Sequence, residues 1–510
     1  MRGVTGATDR VVVVGAGFSG LAAALHLAGR GRQVTVLDRE LVPGGRAGRS
    51  TVDGHHFDTG PSVLTMPGII EDTLAAVGAD MSDLLRLTEL DPAYDARFAD
   101  GSNLLVHREP EQMAAAIEAF AGPDAVAGYL RLREWLQTLY RVQFDRFVAA
   151  NFDSPLSMLS PQLGQLVALG GFRRLDPMIS RFITDERLRR VFTFQSLYVG
   201  QAPQAALALY GVITYMDTIS GVYFPAGGIS AVPDALAAAA TQAGVDFQFG
   251  TTVDHLERSG RRVTAARTSD GRRFGCDAVV LTTELPVSYR LLGGAPRRPV
   301  PLRAAPSAVV LHAGLSTQQR GIAHHTISFG AAWKETFHEL ISTGTVMSDP
   351  SLLITRPTAT DPSLAPPGRD TLSILAPVPN LAHGKSPKWD SDGPKYADEL
   401  VRLVEERLLP GLGASITARH LLTPADWARQ DMVAGTPFAW AHSFSQTGPF
   451  RPGNFPRRTD NVVLAGGGTV PGVGVPTALI SGRLAADRIT GPAHERRGRR
   501  ARSVPTGGQV

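Results

Sequence analysis

The stretch VVVVGAGFSGLAAALHL, residues 11–27, constrains the fold more than any other part of the chain. Val11–Val14 is a β-branched run without a polar side chain, which suits a strand buried on both faces. Gly15, Gly17 and Gly20 follow in G-x-G-x-x-G spacing, and Leu21–Ala28 reads as a helix stopped by Gly29 and Gly31. Gln33–Leu37 is then a second strand that ends at Asp38. Between two strands this spacing specifies a dinucleotide fold. The first glycine makes the tight turn, the second admits a pyrophosphate, and the third lets helix and strand pack closely. Asp38 stands where a ribose hydroxyl is bound. The same apolar run behind Arg2 and Arg10 has the profile of a signal peptide or a membrane span. A span would not place three glycines on this schedule and then return to strand chemistry. Cleavage at the passable site Ala24–Ala28 would discard the whole fingerprint.

At 510 residues the chain exceeds one ordinary core, so two or three structural units are expected. Its 43% apolar and 19% charged residues describe a globular, enzyme-like protein. The single cysteine, Cys276, excludes an internal disulfide, suits a reducing cytoplasm and reads as a small strand residue. Location makes the net charge of +4 informative, because five arginines and one glutamate in 493–510 account for all of it. The remaining chain is neutral and offers no basic face, so nucleic acid is not an expected partner. The Gly- and Arg-rich tail is a solvated segment or an auxiliary contact to anionic lipid.

Glycine-rich elements recur. Asp38 is followed by Gly44-Gly45-Arg46 and then GHHFDTGP at 54–61, and the chain closes with NVVLAGGGTVPGVGVPTALISGRLAADRI at 461–489. An arginine after paired glycines can reach a pyrophosphate, which marks FAD rather than NAD. The closing strand, glycine loop and helix present a helix N-terminus near Thr477, suited to negative charge on a reduced flavin ring. Residues 245–283 read as a meander with turns at Ser259-Gly260 and Asp270-Gly271, and 111–220 as mainly helical. Pro-rich stretches 295–306, 356–370 and 384–394 read as loops. The expected architecture is α/β. A Rossmann-like FAD-binding domain comprises 1–66, 222–290 and 458–492, with an inserted α+β substrate domain at 291–457. A helical, membrane-contacting region spans 67–221, and 493–510 forms the basic tail.

The sequence resembles the bacterial-type phytoene desaturases, within the flavin-dependent carotenoid desaturase and amine oxidase superfamily. The resemblance runs from Val11 to about Ile489 and rests on PGGRA, FDTGPSVLT, FQSLYVG, GVYFPAGGISAVPDAL, LAPVPNL, GPFRPGNF and the two glycine loops. It implies an FAD enzyme that makes lycopene, or a less desaturated intermediate, from phytoene. Carried over by position, Gly15, Gly17 and Gly20, flanked by Phe18 and Ser19, serve the pyrophosphate. Asp38 and Arg39 serve the ribose side, and Gly45 with Arg46 the phosphate. Gly60, Pro61 and Ser62 would lie near the flavin ring, and Val253 would meet the adenine through its backbone. Gly467, Thr469, Gly474 and Val475 would wrap the ribityl chain and ring edge. Two departures are Asp38, where the family has Glu, and Val470, where its closing loop usually has His.

The implied reaction removes a hydride to the flavin and a proton from the adjacent carbon. No residue is singled out as the proton acceptor. Asp217 and Asp185 are candidates, each also readable as a helix cap or a surface acid. Phytoene and later carotenoid intermediates are the implied ligands, and oxygen or a quinone the terminal electron acceptor. The implied location is cytoplasmic, peripheral to the inner face of the cell membrane. Tyr140, Phe144 and Phe147, followed by Leu156, Leu159, Leu163 and Leu166, form an apolar stripe that suits core packing or lipid contact. His55-His56 and His324-His325 lack a completing ligand set, so no metal site is expected. Competing readings are a desaturase, ketolase or saturase of another polyene, an amine or porphyrinogen oxidase, and a non-catalytic prenyl-lipid escort.

Overall fold

The computed structural model describes residues 2–492, so the arginine tail lies outside the described residues. Five parallel strands form the centre of the cofactor half. Their spatial order is Asp246–Gln248, Gln33–Leu37, Arg10–Val14, Ala278–Leu281 and Val462–Leu464. They come from three separated stretches of chain, with Arg10–Val14 paired on both sides in the middle. Strand alternation divides the four valines. Val11 and Val13 pack with the helices Phe18–Ala28 and Val475–Thr490. Val12 and Val14 pack with the antiparallel meander Val253–Ser259, Arg262–Thr268 and Arg273–Gly275. A helix layer on one face and a meander on the other leave no face for polar side chains, which explains the unbroken run.

The stretch 245–283 is a meander only in its middle three strands. Asp246–Gln248 and Ala278–Leu281 join the parallel sheet instead, paired with the distant strands Gln33–Leu37 and Arg10–Val14. The expected loop at 384–394 is also corrected, because a helix begins at Trp389 and runs to Arg407 through Pro394. Asp390 and Asp392 in its first turn favour the positive helix end, and Tyr396, Ala397, Leu400, Val401 and Val404 supply a buried face. That face outweighs the N–H that Pro394 removes.

The second half is built on seven strands in the order Ile416–Leu422, Ser307–Leu315, Asp370–Val378, Leu352–Thr355, His325–Ser328, Tyr94–Arg97 and Asn103–Val106. Tyr94–Arg97 joins in parallel with His325–Ser328, so one sheet is continuous across the expected 67–221 and 291–457 segments. Leu311, Ala313, Leu372 and Ile374 pack with the helix Trp389–Arg407. Val310, Leu353 and Leu375, on the opposite face, wall the cavity described below. The helix Gly211–Thr218 leads into the strand Val222–Pro225, which pairs with Leu64–Thr65 and so ties the helical region to the cofactor half. Among the described residues no helix is long and apolar enough to cross a membrane.

Candidate active site

The first glycine turn is held by its neighbours. Gly15 has a φ of +110°, in the region that favours glycine, and its N–H donates to the Leu37 carbonyl at 2.8 Å. Gly20 faces away from the ligand space: a Cβ there would overlap the Gly15 carbonyl oxygen. The residue therefore sets how closely helix and turn approach. The helix Phe18–Ala28 begins at Gly17 and the helix Val475–Thr490 at Gly474, both without a side-chain cap. Each leaves the N–H groups of a first turn for an acceptor from outside the chain.

A single cavity of about 1070 Å³ takes in both helix starts. Gly15, Gly17, Phe18, Ser19, Asp38, Arg39, Gly45 and Arg46 line it from the opening motif. Gly60, Pro61, Ser62 and Val253 join them, and the closing loop adds Gly467, Thr469, Gly474 and Val475. Asp38 accepts hydrogen bonds from the Ala16 N–H at 2.5 Å and the Glu40 N–H at 2.8 Å. Burial pushes its carboxyl above the ordinary range in spite of those donors. Arg39 pairs with Asp431 at 2.7 Å across the cavity edge. Arg46 pairs with Glu284 and donates to the Pro437 carbonyl at 2.7 Å.

Glu284, on this wall, and Arg451, behind it, escaped the sequence reading. Glu284 lies just beyond the carboxyl end of the strand Ala278–Leu281, where parallel sheets bind ligands, so position in the sheet is the signal that points to it. Arg451, in the GPFRPGNF motif, is 2% exposed and has no carboxylate partner among the described residues. It donates to the Thr469 carbonyl at 2.9 Å, the Gly467 carbonyl at 2.6 Å and the Trp440 carbonyl at 3.3 Å. Burial brings its guanidinium down to about 10. Arg451 thus straps the outward carbonyls of the closing glycine loop.

The two acid candidates separate. Asp185 does not reach the cavity. It caps the helix Glu186–Val191 by accepting from the Arg187 and Leu188 N–H groups at 2.8 and 3.2 Å, and pairs with the Arg187 guanidinium at 2.9 Å. Burial raises its carboxyl, but these donors outweigh it and the group sits below its ordinary value. Asp217 lines the cavity, is 3% exposed and accepts from the Tyr94 hydroxyl at 3.1 Å. The paired histidines also divide. His55 is buried and His56 exposed, whereas His324 and His325 are both buried with rings 4.6 Å apart. Among the described residues no group of His, Cys, Asp or Glu is arranged to hold a metal ion.

Beyond the glycine loops the wall is apolar, with Phe194, Leu197, Met216, Ile327, Phe329 and Trp333. At the opposite end the cavity reaches the surface beside Phe172, Phe444 and Phe450, which are 38%, 57% and 43% exposed. Their rings are near neighbours, with Phe444 6.5 Å from Phe172 and 5.9 Å from Phe450. The expected apolar stripe is split between the core and exposed positions next to the cavity-lining Pro155 and Met158. Tyr140 stacks on Tyr215 at 4.2 Å and Leu166 is buried, while Leu156 and Leu159 are 75% and 67% exposed.

Two open helix N-termini, glycine backbone and Arg46 form a donor set for a pyrophosphate, and a buried acid at a strand end is an acceptor for ribose hydroxyls. The cavity continues from there, so a flavin would lie between the glycine loops and the apolar half. Comparison with known proteins agrees. The sequence pattern of flavin-containing amine oxidoreductases matches residues 18–490. Over 505 residues, 99% of either chain, the protein is 61% identical to a phytoene dehydrogenase of Streptomyces griseus. It is 36% identical over 492 residues to a zeta-carotene-forming phytoene desaturase of Myxococcus xanthus, covering 95% of this chain and 94% of that one. Cyclohexylamine oxidase from Brevibacterium oxydans IH-35A shares the fold, with a TM-score of 0.58 at 17% identity over 94% of this chain and 98% of that one. The chain belongs to the flavin-containing amine oxidoreductase family, among its phytoene desaturases, and its cofactor is FAD.

Proposed function

We propose that this protein is an FAD-dependent desaturase that converts phytoene stepwise to lycopene or a less desaturated intermediate, in carotenoid biosynthesis. The observation that carries the reading is a cavity whose cofactor wall passes directly into a long apolar wall ending at an exposed apolar lip. A hydrocarbon polyene has no group to hydrogen-bond. Shape and burial must hold it, at roughly 25 cal/mol per Å² of apolar surface removed from water. Phe194, Leu197, Ile327 and Phe329 supply that apolar contact surface, and among the described residues Asp217 is the one lining carboxylate there without a cation partner.

Bound FAD supplies the hydride acceptor for a saturated bond between two alkenes. Arg46 and the first turn of Phe18–Ala28 would hold its phosphates, Asp38 its ribose, and the closing loop strapped by Arg451 its ring edge. The apolar half excludes water from the carbon that develops positive charge. Oxygen or a quinone is the terminal acceptor in this reading.

Substrate supply is part of the same proposal. Phytoene resides in the bilayer, and the lip of Leu156, Leu159, Phe172, Phe444 and Phe450 is the surface that would meet it. Exposed Arg146 and Arg173 stand near the lip in sequence, suited to anionic headgroups. The protein would then be a peripheral one, on the cytoplasmic face of the cell membrane. Expression in phytoene-accumulating cells, with pigments resolved by chromatography, tests the activity. Lycopene, neurosporene or zeta-carotene is the expected product. Unchanged phytoene, with activity on amines or on a different polyene, would replace the assignment.

A further inference from the structure

We propose that Asp217 is the proton acceptor of the desaturation, held in place by Tyr94. The inference rests on the desaturase reading above and names a residue for a step which that reading leaves without one. Two hydrogens leave the substrate. One departs as a hydride to oxidised FAD. The neighbouring C–H bond then breaks, its electron pair becomes the new π bond, and its proton forms an O–H bond on the Asp217 carboxylate. That proton passes to solvent before the next turnover, and the terminal acceptor takes the two electrons from the cofactor.

Position selects Asp217. It occupies the last turn of the helix Gly211–Thr218, whose Val212, Ile213 and Met216 line the cavity with it. The chain then enters the strand Val222–Pro225, paired with Leu64–Thr65. Residues 60–63 and Thr65 line the cavity on the cofactor side, so Asp217 stands on the wall that joins the two halves. The other lining carboxylates belong to the cofactor end, are paired or are exposed. Asp38 and Glu284 stand at the phosphate and ribose end, beside the glycine turn and Arg46; Glu40 and Asp431 are paired with Arg39, and Asp254 is exposed. Asp217 has no cation partner among the described residues, and its hydrogen-bond donors are the Tyr94 hydroxyl and the Gln195 side chain. The Tyr198 hydroxyl is buried beside that of Tyr94 and lies in the field of Asp217.

The surroundings suit a base. Tyr94 comes from the strand Tyr94–Arg97, and Gln195 and Tyr198 from the turn Phe194–Val199. His325, from the next strand, lies 5.7 Å from the Tyr94 ring. Both tyrosines are pushed up by burial and His325 is brought down to about 3, so all three are neutral near pH 7. Burial raises the Asp217 carboxyl to about 7, against the Tyr94 and Gln195 donors that favour its ionised form. A base works best when its pKa lies near the working pH. The competing group in the apolar half is His442, whose buried Nε2 has no partner among the described residues. Burial and then the nearby Arg451 hold it far below its ordinary value, which makes it a weak base.

The test uses the flavin-loaded protein with phytoene in liposomes and the variants Asp217→Asn, Asp217→Glu and His442→Gln. Asp217→Asn should keep its flavin content and KM while kcat falls by about 10²–10⁴-fold, the usual worth of a general base. Wild-type kcat should rise with pH through about 7, as the carboxylate forms. That limb should vanish in Asp217→Asn, and Asp217→Glu should restore part of the rate. Independently of turnover, infrared difference spectra should show a protonated carboxyl band that titrates near pH 7 and is missing in Asp217→Asn. Near-normal kcat in Asp217→Asn, or lost flavin in both Asp217 variants, overturns the assignment. A larger kcat loss in His442→Gln than in Asp217→Asn moves the role to His442. A wild type inactive on phytoene sinks the functional reading and this inference with it, whereas an active Asp217→Asn sinks this inference alone.

Discussion

At the cofactor end, the cavity wall is largely backbone: Gly15, Gly17, Gly44, Gly45, Gly60 and Gly467 line it and leave room for a ligand to come close. At the substrate end the wall is side chain, with Phe194, Met216, Ile327, Phe329 and Trp333 contributed by several separated segments. The first wall depends on what is missing, a Cβ, which at Gly15, Gly44 and Gly60 would overlap neighbouring atoms. The second depends on how apolar volumes fill space, and such walls tolerate exchange when volume and polarity are kept. The difference predicts that mutations at the two ends fail in different ways.

The largest effect is expected from Gly20→Val. A Cβ there overlaps the Gly15 carbonyl oxygen, and Gly482 on the facing helix already packs against the Ser19 carbonyl and Ala22. Neither helix can retreat without losing the other, so the variant should not fold into a flavin-binding protein. A soluble, yellow Gly20→Val with an unshifted Tm would show that the backbone wall is as plastic as the apolar one.

Mild acid should separate the two ends next. Burial, with His420 as a smaller cause at His312, brings His312 and His325 of the substrate sheet down to about 3, and holds their neighbour His324 well below its ordinary value. In the unfolded chain each takes a proton near pH 6.5. Their folded values are depressed, so stability is present above the unfolded value and is lost as pH falls below it. At pH 5 His312 and His325 each cost about 2 kcal/mol, at 1.36 kcal/mol per pH unit. Asp217, raised to about 7, acts in the opposite sense, since its contribution is lost as pH rises through that value. It gives back about 2 kcal/mol between pH 7 and pH 5. The histidines outweigh it. The cofactor half has one comparably shifted histidine among its described residues, His26, at about 3. Hydrogen exchange corrected for intrinsic rates should therefore show Ser307–Leu315 and His325–Ser328 losing protection at pH 5 before Arg10–Val14. Simultaneous loss would make the two ends one cooperative unit.

The same contrast explains what could be read from the sequence. Gly15, Gly17, Asp38, Arg46 and Gly474 were legible because backbone walls depend on residue type at fixed local spacing, and these residues all line the cavity. Asp246–Gln248 was misread as part of the meander because its partner, Gln33–Leu37, lies far away in sequence. Glu284, Arg451 and the aromatic wall were missed for the same reason. Each matters through what a distant segment brings beside it. Resemblance supplied the reaction, but no spacing rule separates a helix cap such as Asp185 from a cavity acid such as Asp217; burial does.

A smaller effect at the cofactor end sharpens the comparison. Arg46→Ala should weaken FAD binding about ten- to a hundredfold, since a charged hydrogen bond to phosphate is worth roughly 1.5–3 kcal/mol. Glu284 complicates this, because Arg46 gives up or shares that carboxylate when phosphate arrives. Glu284→Gln should therefore tighten FAD binding where Arg46→Ala loosens it, as read by flavin fluorescence titration. Equal affinities in wild type and both variants would show that Arg46 serves the cavity edge alone.

The smallest effect per residue is expected at the lip, where the apolar wall reaches solvent. Leu156, Leu159 and Phe444 are more than half exposed, so serine at these positions costs the fold little. Each side chain is worth about 1 kcal/mol to lipid attachment if about half of it is newly buried there. The triple variant should bind liposomes about a hundredfold more weakly, with flavin content unchanged. Salt separates this contribution from electrostatics. The screening length falls from about 8 Å at physiological ionic strength to about 3 Å at 1 M, so attachment by the arginine tail should be released while apolar attachment persists. Sedimentation at both salt concentrations, for the full chain, the triple variant and a chain ending near residue 492, gives the comparison. Normal binding by the triple variant, together with complete loss on truncation, would leave the lip with no role in lipid contact and make the tail the anchor. Binding by the truncated chain that resists salt and yields to detergent would place substrate transfer where the cavity opens. The apolar end would then be continuous from membrane to flavin, while the backbone end never meets the lipid.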